Sequence, residues 1–157
     1  MGLLPQRGKA LISNDVDRSD DGGDQTMSIR ILFADDEQGV RDTVSLHLQL
    51  EGFEVATANN GIEAIVRLEK EPFDLVLLDI DMPNLNGIGV LRYIRTHQIH
   101  VKPIMLTGAD DPHAVQECAK LGAVDYLPRP YNFHELRDSI ARVIGNVVST
   151  ERGEDSP

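Results

Sequence analysis

Between Ile29 and Val147 the sequence keeps changing its hydrophobic period, and this alternation restricts the fold more than any other feature. Apolar runs that read as strands occur at Ile29–Ala34, Phe53–Thr57, Leu75–Leu78, Pro103–Thr107 and Val124–Pro128, and helical spacing follows each one. The inward positions are read as Val40, Val44 and Leu48; then Ile62, Ile65 (or Val66) and Leu68; then Val90, Leu91 and Ile94; and finally Leu136, Ile140, Val143 and Val147. Punctuation agrees with the periods. Gly52 and Gly122 stand where helices close, Pro72 stops the second helix, and Asp111-Pro112 supplies an N-cap followed by an N1 proline. Asn60-Gly61-Ile62-Glu63 and Asn132-Phe133-His134-Glu135 are capping boxes. Strands separated by helices pair in parallel and need cover on both faces. The expectation is therefore an α/β chain: a doubly wound, five-stranded parallel sheet with five helices.

Composition narrows the rest. At 157 residues and 41% hydrophobic content the chain is long enough for one core, and the absence of Trp with only 4% aromatics suits aliphatic α/β packing. A net charge of −11 argues against the basic face that direct nucleic-acid binding requires. The apolar runs are too short to span a bilayer, and Met1-Gly2-Leu3-Leu4-Pro5 is neither a signal peptide nor, with Gln6, a myristoylation motif. The expectation is a cytoplasmic protein with no membrane association. The single cysteine, Cys118, excludes an internal disulfide framework and a cysteine-based zinc site. Residues 1–27 are polar and aperiodic and read as a disordered tail or leader, with Met27 a candidate natural start. The folded domain is placed at 28–148, and 149–157 is read as a disordered C-terminal tail.

In a doubly wound sheet, function sits beyond the carboxyl ends of the strands, where strand order reverses. Polar residues collect there. Asp35 and Asp36 follow the first strand, Asp79 ends the third, Thr107 ends the fourth and Arg129 follows the fifth. After Asp79, the stretch Ile80-Asp81-Met82-Pro83-Asn84-Leu85-Asn86-Gly87 forces a loop before the next helix. One isolated Asp-x-Asp is ordinary strand-to-helix punctuation, but the order 2-1-3-4-5 would bring Asp35, Asp36 and Asp79 together. Three such charges repel, and a cation makes the cluster tolerable. All-oxygen ligation with room for water suits Mg2+, with Mn2+ a second candidate. Thr107 and Arg129 then face an incoming phosphoryl group, and a metal-supported aspartate is a nucleophile toward phosphorus.

With these residues in hand, the chain from Ile29 to Val147 resembles a two-component response regulator receiver domain of the chemotaxis type, flavodoxin-like with strand order 2-1-3-4-5. The resemblance is carried by the Asp35-Asp36 pair, Asp79-x-x-Met82-Pro83-x-x-x-Gly87, Thr107 and Arg129-Pro130. It implies that Asp79 is the phosphoacceptor and takes its phosphoryl group from a phosphohistidine on a sensor histidine kinase or histidine phosphotransfer protein. It further implies that Asp35, Asp36, Asp79 and the backbone carbonyl of Asp81 hold the metal, and that Thr107 and Tyr126 move as a switch. Pro130 would follow a cis peptide, and the face of helix four, strand five and helix five would bind a downstream target or form a homodimer. Such a domain is no enzyme beyond catalysing its own phosphorylation and dephosphorylation. One residue departs from the pattern. The family carries lysine directly before the proline, and Arg129 is not a conservative replacement where geometry is tight. Phosphorylation is expected to survive with altered coupling, and Asp81 is a candidate modifier of the rate at which water removes the phosphate. Two alternatives stand beside this reading: a degenerate receiver that binds partners without phosphorylation, and a haloacid-dehalogenase-type phosphatase. Against the second, its Asp-x-Asp should end the first strand rather than the third. The chain ends soon after helix five, so it reads as a stand-alone receiver or the regulatory part of a longer protein.

Overall fold

The apolar runs form strands β1 (Arg30–Ala34), β2 (Glu54–Ala58), β3 (Leu75–Asp79), β4 (Lys102–Thr107) and β5 (Asp125–Pro128). Between and after them lie helices α1 (Gln38–Leu50), α2 (Gly61–Lys70), α3 (Gly87–Thr96), α4 (Pro112–Lys120) and α5 (Phe133–Arg152). The computed structural model describes residues 28–107 and 111–152, excepting the side chains of Thr107 and of residues 146–152. The tail expected at 1–27 lies outside the described residues, as do positions 153–157. The sheet is parallel throughout, in the order β2-β1-β3-β4-β5. This is the flavodoxin-like arrangement the alternating periods call for, with β1 and β3 as neighbours at the reversal of strand order.

The sheet divides the core into two layers by simple alternation of side chains. Ile31, Phe33, Leu75, Leu77, Ile104 and Leu106 point toward α1 and α5, where they meet Val44, Leu48, Leu136, Ile140 and Val143. Leu32, Ala34, Val76, Leu78 and Met105 point the other way, onto Ala64, Leu68, Val90, Leu91, Ile94 and Cys118 of α2, α3 and α4. All five residues of β3 are buried, as expected of a central parallel strand. Each large aliphatic side chain removed from water here is worth about 1.5–3 kcal/mol, so β3 is anchored firmly up to the residue where it delivers Asp79.

Caps fix the helix ends. Asn132 Oδ1 accepts from the Glu135 amide and Glu135 Oε1 accepts from the Asn132 amide, a complete capping box at α5. At α2 the box is displaced by one residue: Asn60 Oδ1 caps the Glu63 amide, but the Glu63 carboxylate reaches back to the amide of Asn59. Asp111 caps α4 through the His113 amide, ahead of Pro112. Gly52 and Gly122 take φ of +101° and +102°, closing α1 and α4.

Three expectations need correction. Ile62 does not face inward: it is 52% exposed, and Val66 is exposed as well, while Gly61, Ala64 and Leu68 carry the buried face and Ile65 packs beside it. The cause is a close approach. A Cβ on Gly61 would lie 2.1 Å from the Leu85 carbonyl oxygen, so the small residues of α2 must face the β3–α3 loop. Helix α5 runs to Arg152, through residues assigned to the C-terminal tail, since no glycine or proline interrupts it between Gly145 and Gly153. Strand starts move by one residue: β1 begins at Arg30 rather than Ile29, β2 at Glu54 rather than Phe53, β4 at Lys102 rather than Pro103 and β5 at Asp125 rather than Val124, and β2 ends at Ala58.

Candidate functional site

Parallel pairing aligns the ends of β1 and β3: Ala34 stands opposite Leu78, so Asp35 and Asp79 leave the sheet side by side. Both are almost entirely buried, at 0% and 1% exposure, whereas Asp36 faces solvent. One carboxylate oxygen from each of Asp35, Asp36 and Asp79 lies within 4.8 Å of the others. The structure thus brings together the three acids singled out in the sequence.

Each buried acid is bonded on both oxygens. Asp35 Oδ1 accepts from the Glu37 amide at 2.9 Å, and Asp79 Oδ1 accepts from the Asp81 amide at 3.2 Å. The remaining two oxygens share one donor: Arg129 Nη2 lies 2.8 Å from Asp35 Oδ2 and 3.1 Å from Asp79 Oδ2. Arg129 therefore sits between the acids rather than only on their rim. A second arginine, Arg41 on α1, donates to the backbone carbonyl of Asp35 at 2.7 Å.

Burial dominates the acidity of the pair. It lifts Asp79 from an ordinary 3.8 to about 6; Arg129 and the Asp81 amide pull the value down, and Asp35 pushes it up. Burial also raises Asp35, against the Glu37 amide and Arg129, with Asp36 and Glu37 adding to the rise. For Arg129 burial disfavours the charge, but Asp79 and Asp35 outweigh it and hold the guanidinium above its usual range. Two costly carboxylates and an exposed third, all oxygen donors within reach of one point, are a donor set that fits a small hard divalent cation.

The loop after Asp79 is shaped by steric clearance. Gly87 returns to β3, its amide bonding the Ile80 carbonyl at 3.0 Å, and a Cβ there would lie 2.4 Å from the Asp79 carbonyl oxygen. Leu85 is clasped between Gly61 and Gly89, and Asn84 takes φ of +70° in the turn. Asp81 is exposed on this loop. Asn86 caps α3 through the Gly89 amide.

The remaining residues are more dispersed. Thr107 ends β4 opposite Pro128, and its side chain lies outside the described residues. Tyr126 is half-buried and packs against the α2–α3–α4 layer. Arg129–Pro130 is a cis peptide, as the resemblance implies. Beyond it Tyr131 and Phe133 join Val40, Val44, His47 and Leu136 in lining a cleft of about 850 Å³ that opens beside Arg129. Burial raises the Tyr131 phenol against the opposing pull of Arg129.

Comparison with known proteins places the chain in a family. The family model described as the response regulator receiver domain matches residues 31–141. The chain is a response regulator receiver domain. The transcriptional regulatory protein CpxR homolog of Haemophilus influenzae is 44% identical over 114 residues, covering 73% of this receiver domain and 48% of that protein. The receiver domain thus spans about half the length of that relative. Sporulation initiation phosphotransferase F of Bacillus subtilis is 30% identical over 118 residues, covering 75% of this chain and 95% of that one. Among solved structures, response regulator TrrA of Thermotoga maritima in complex with Mg(2+)-BeF aligns with a TM-score of 0.66 at 35% identity, covering 73% of this chain and 97% of that chain. The receiver domain therefore belongs to the two-component signalling proteins, and its strand order matches theirs. Among the described residues no helix is long and apolar enough to cross a membrane.

Arg41, Tyr131 and the clearance at Gly61 escape the sequence reading. A basic side chain in the first turn of a helix runs against the helix dipole, and that anomaly is the one signal that marks Arg41.

Proposed function

We propose that this receiver domain is a phosphoacceptor in a phosphorelay: Asp79 takes a phosphoryl group from a phosphohistidine of a sensor histidine kinase or phosphotransfer protein. The observation that carries the proposal is the convergence of Asp35, Asp36 and Asp79 at adjoining strand ends, two of them buried beside an arginine. An Asp79 carboxylate oxygen attacks phosphorus, the P–N bond breaks, and the released imidazole nitrogen takes up a proton. The product is an acyl phosphate on Asp79. Asp35, Asp36, Asp79 and the carbonyl of Asp81 would hold Mg2+, or Mn2+, whose charge offsets that of the phosphoryl oxygens in transfer. Arg129 and Thr107 contact those oxygens, and Asp81, exposed beside them, modifies the access of water.

The switch assigned to Thr107 and Tyr126 changes the face formed by α4, β5 and α5, which binds a downstream protein or a second copy of the domain. The domain acts in the cytoplasm, without contacting nucleic acid itself, and its chemistry is confined to gaining and losing its own phosphoryl group. Incubation with acetyl phosphate and Mg2+, followed by intact mass, tests the proposal. Gain of one phosphoryl group that disappears in Asp79→Asn is the expected result. No gain at any donor concentration refutes it and favours a phosphorylation-independent binding module, the reading that the hold of Arg129 on both acids otherwise supports.

A further inference from the structure

Asp36 joins the acid cluster from outside the core. It faces solvent, yet one of its carboxylate oxygens lies within 4.8 Å of those of the two buried acids. An exposed aspartate has a small set of staggered rotamers, and the backbone decides which of them reach the neighbours. Three successive peptide groups carry the chain through this turn, and each has an anchor. The amide of Asp35 donates to the Ala58 carbonyl at 3.1 Å, and the amide of Glu37 donates to Asp35 Oδ1 at 2.9 Å. The peptide between them, joining Asp35 to Asp36, is held through its carbonyl oxygen, which accepts from Arg41 Nη1 at 2.7 Å. Arg41 is itself fixed by α1, its amide bonding the Glu37 carbonyl at 3.0 Å. A half-buried cation near the N-terminus of a helix runs against the helix dipole, and α1 has neither an acid in its first turn nor a side-chain cap to offset it. The guanidinium is turned instead onto the one peptide that sets the direction of Asp36.

We propose that Arg41 is a positioning residue for the divalent metal: by fixing the plane of the Asp35–Asp36 peptide it aims the exposed Asp36 carboxylate at the point where the oxygens of Asp35 and Asp79 meet. This rests on the metal-binding role proposed above and adds to it the residue that keeps the third ligand in range. Arg41 grips a backbone carbonyl and not a carboxylate, so its contact persists while the acids turn to a cation. Charge and position act on metal binding with opposite signs. A guanidinium near the site repels an incoming cation, so if Arg41 acted through charge alone its removal would tighten binding. Acting through Asp36, its removal weakens binding.

The test is Mn2+ binding by the full chain, with free Mn2+ read from its electron paramagnetic resonance signal, in the wild type, Arg41→Met, Asp36→Asn and the double variant, each shown to be folded by a thermal melt in EDTA. Removing a group that orients a metal ligand costs roughly tenfold in affinity, so Arg41→Met should bind Mn2+ that much more weakly than the wild type, and Arg41→Lys, which keeps one donor, should recover part of the loss. In the Asp36→Asn background the same Arg41→Met change should alter affinity by less than about twofold, because the ligand it orients is gone. A second readout needs no metal: in EDTA the amide resonances of Asp36 and Glu37 should shift in Arg41→Met while that of Asp81, on the β3–α3 loop, stays in place. If Arg41→Met does not fold, Arg41→Lys carries both measurements, with a smaller loss expected. Equal or tighter Mn2+ binding in the folded Arg41 variant, the same loss with and without Asp36, or unmoved Asp36 and Glu37 resonances overturns the positioning role and leaves the metal site standing. Absence of Mn2+ binding in the wild type overturns the metal reading and this role with it.

Discussion

Replacing Asp79 with asparagine should stabilise the metal-free receiver domain at neutral pH, by an amount that its burial sets. Asp79 is 1% exposed and its pKa rises from 3.8 to about 6, so ionising it inside the fold costs about 3 kcal/mol at 1.36 kcal/mol per pH unit. The sign follows from the direction of the shift. A carboxyl whose folded pKa lies above its unfolded value favours the fold most below the unfolded pKa, near 3.8, and loses that contribution as pH rises through about 6. The neutral carboxamide that Asp79→Asn introduces has no such dependence. Subtracting the variant's unfolding free energy from that of the wild type, measured by urea titration with circular dichroism in EDTA, isolates the group. The difference should fall by about 2.4 kcal/mol between pH 4 and pH 7.5, the remainder of the ~3 kcal/mol lying below pH 4. The contact with Arg129 acts on the ionised carboxylate and is already contained in the folded value, which it lowers. Mg2+ at pH 7.5 should then raise the stability of the wild type more than that of the variant, because ligand binding to the native state adds to its stability. A difference that stays flat from pH 4 to 7.5 in EDTA would show that burial does not govern Asp79.

Two further substitutions test the packing around the site. Gly61→Ala should cost about 1–3 kcal/mol because its Cβ meets the Leu85 carbonyl oxygen, while Gly39→Ala, in open space on α1, should gain about 0.5–1 kcal/mol; urea unfolding of both variants decides. Ser139→Ala should cost about 1–3 kcal/mol, since the fully buried Ser139 hydroxyl donates to Asp125 on β5, whereas Arg142→Ala, removing an exposed partner of the same carboxylate, should cost less than about 1 kcal/mol; equal losses would refute the ranking.

Much of this architecture is written in short-range pattern. Leu75–Leu78 can be read as a doubly buried strand because four consecutive aliphatic residues leave no polar face, and Asn132 and Glu135 mark a helix start because their bonds are local. Once parallel pairing is granted, convergence of Asp35 and Asp79 follows from their places at strand ends. What escapes the sequence depends on distances between segments far apart in the chain. Hydrophobicity ranks Ile62 above Gly61 for the core, yet contact with Leu85 demands the residue without a side chain. The reach of Arg129 is likewise hidden: its position after β5 indicates proximity to the acids, but only the folded loop puts one nitrogen between both.

The two-layered core has a consequence for how a signal must travel. Asp79 continues the alternation of Leu75 and Leu77, which face α1 and α5, and the cleft beside Arg129 is lined by residues of those two helices. Tyr126 packs on the opposite side, among α2, α3 and α4. By this alternation Asp79 and Tyr126 lie on opposite sides of the sheet. On the phosphoacceptor reading proposed above, a change at Asp79 that reaches Tyr126 crosses the sheet or passes round its strand ends, and the short β5, with Tyr126 and Pro128 paired to Met105 and Thr107, is the strand that links the two.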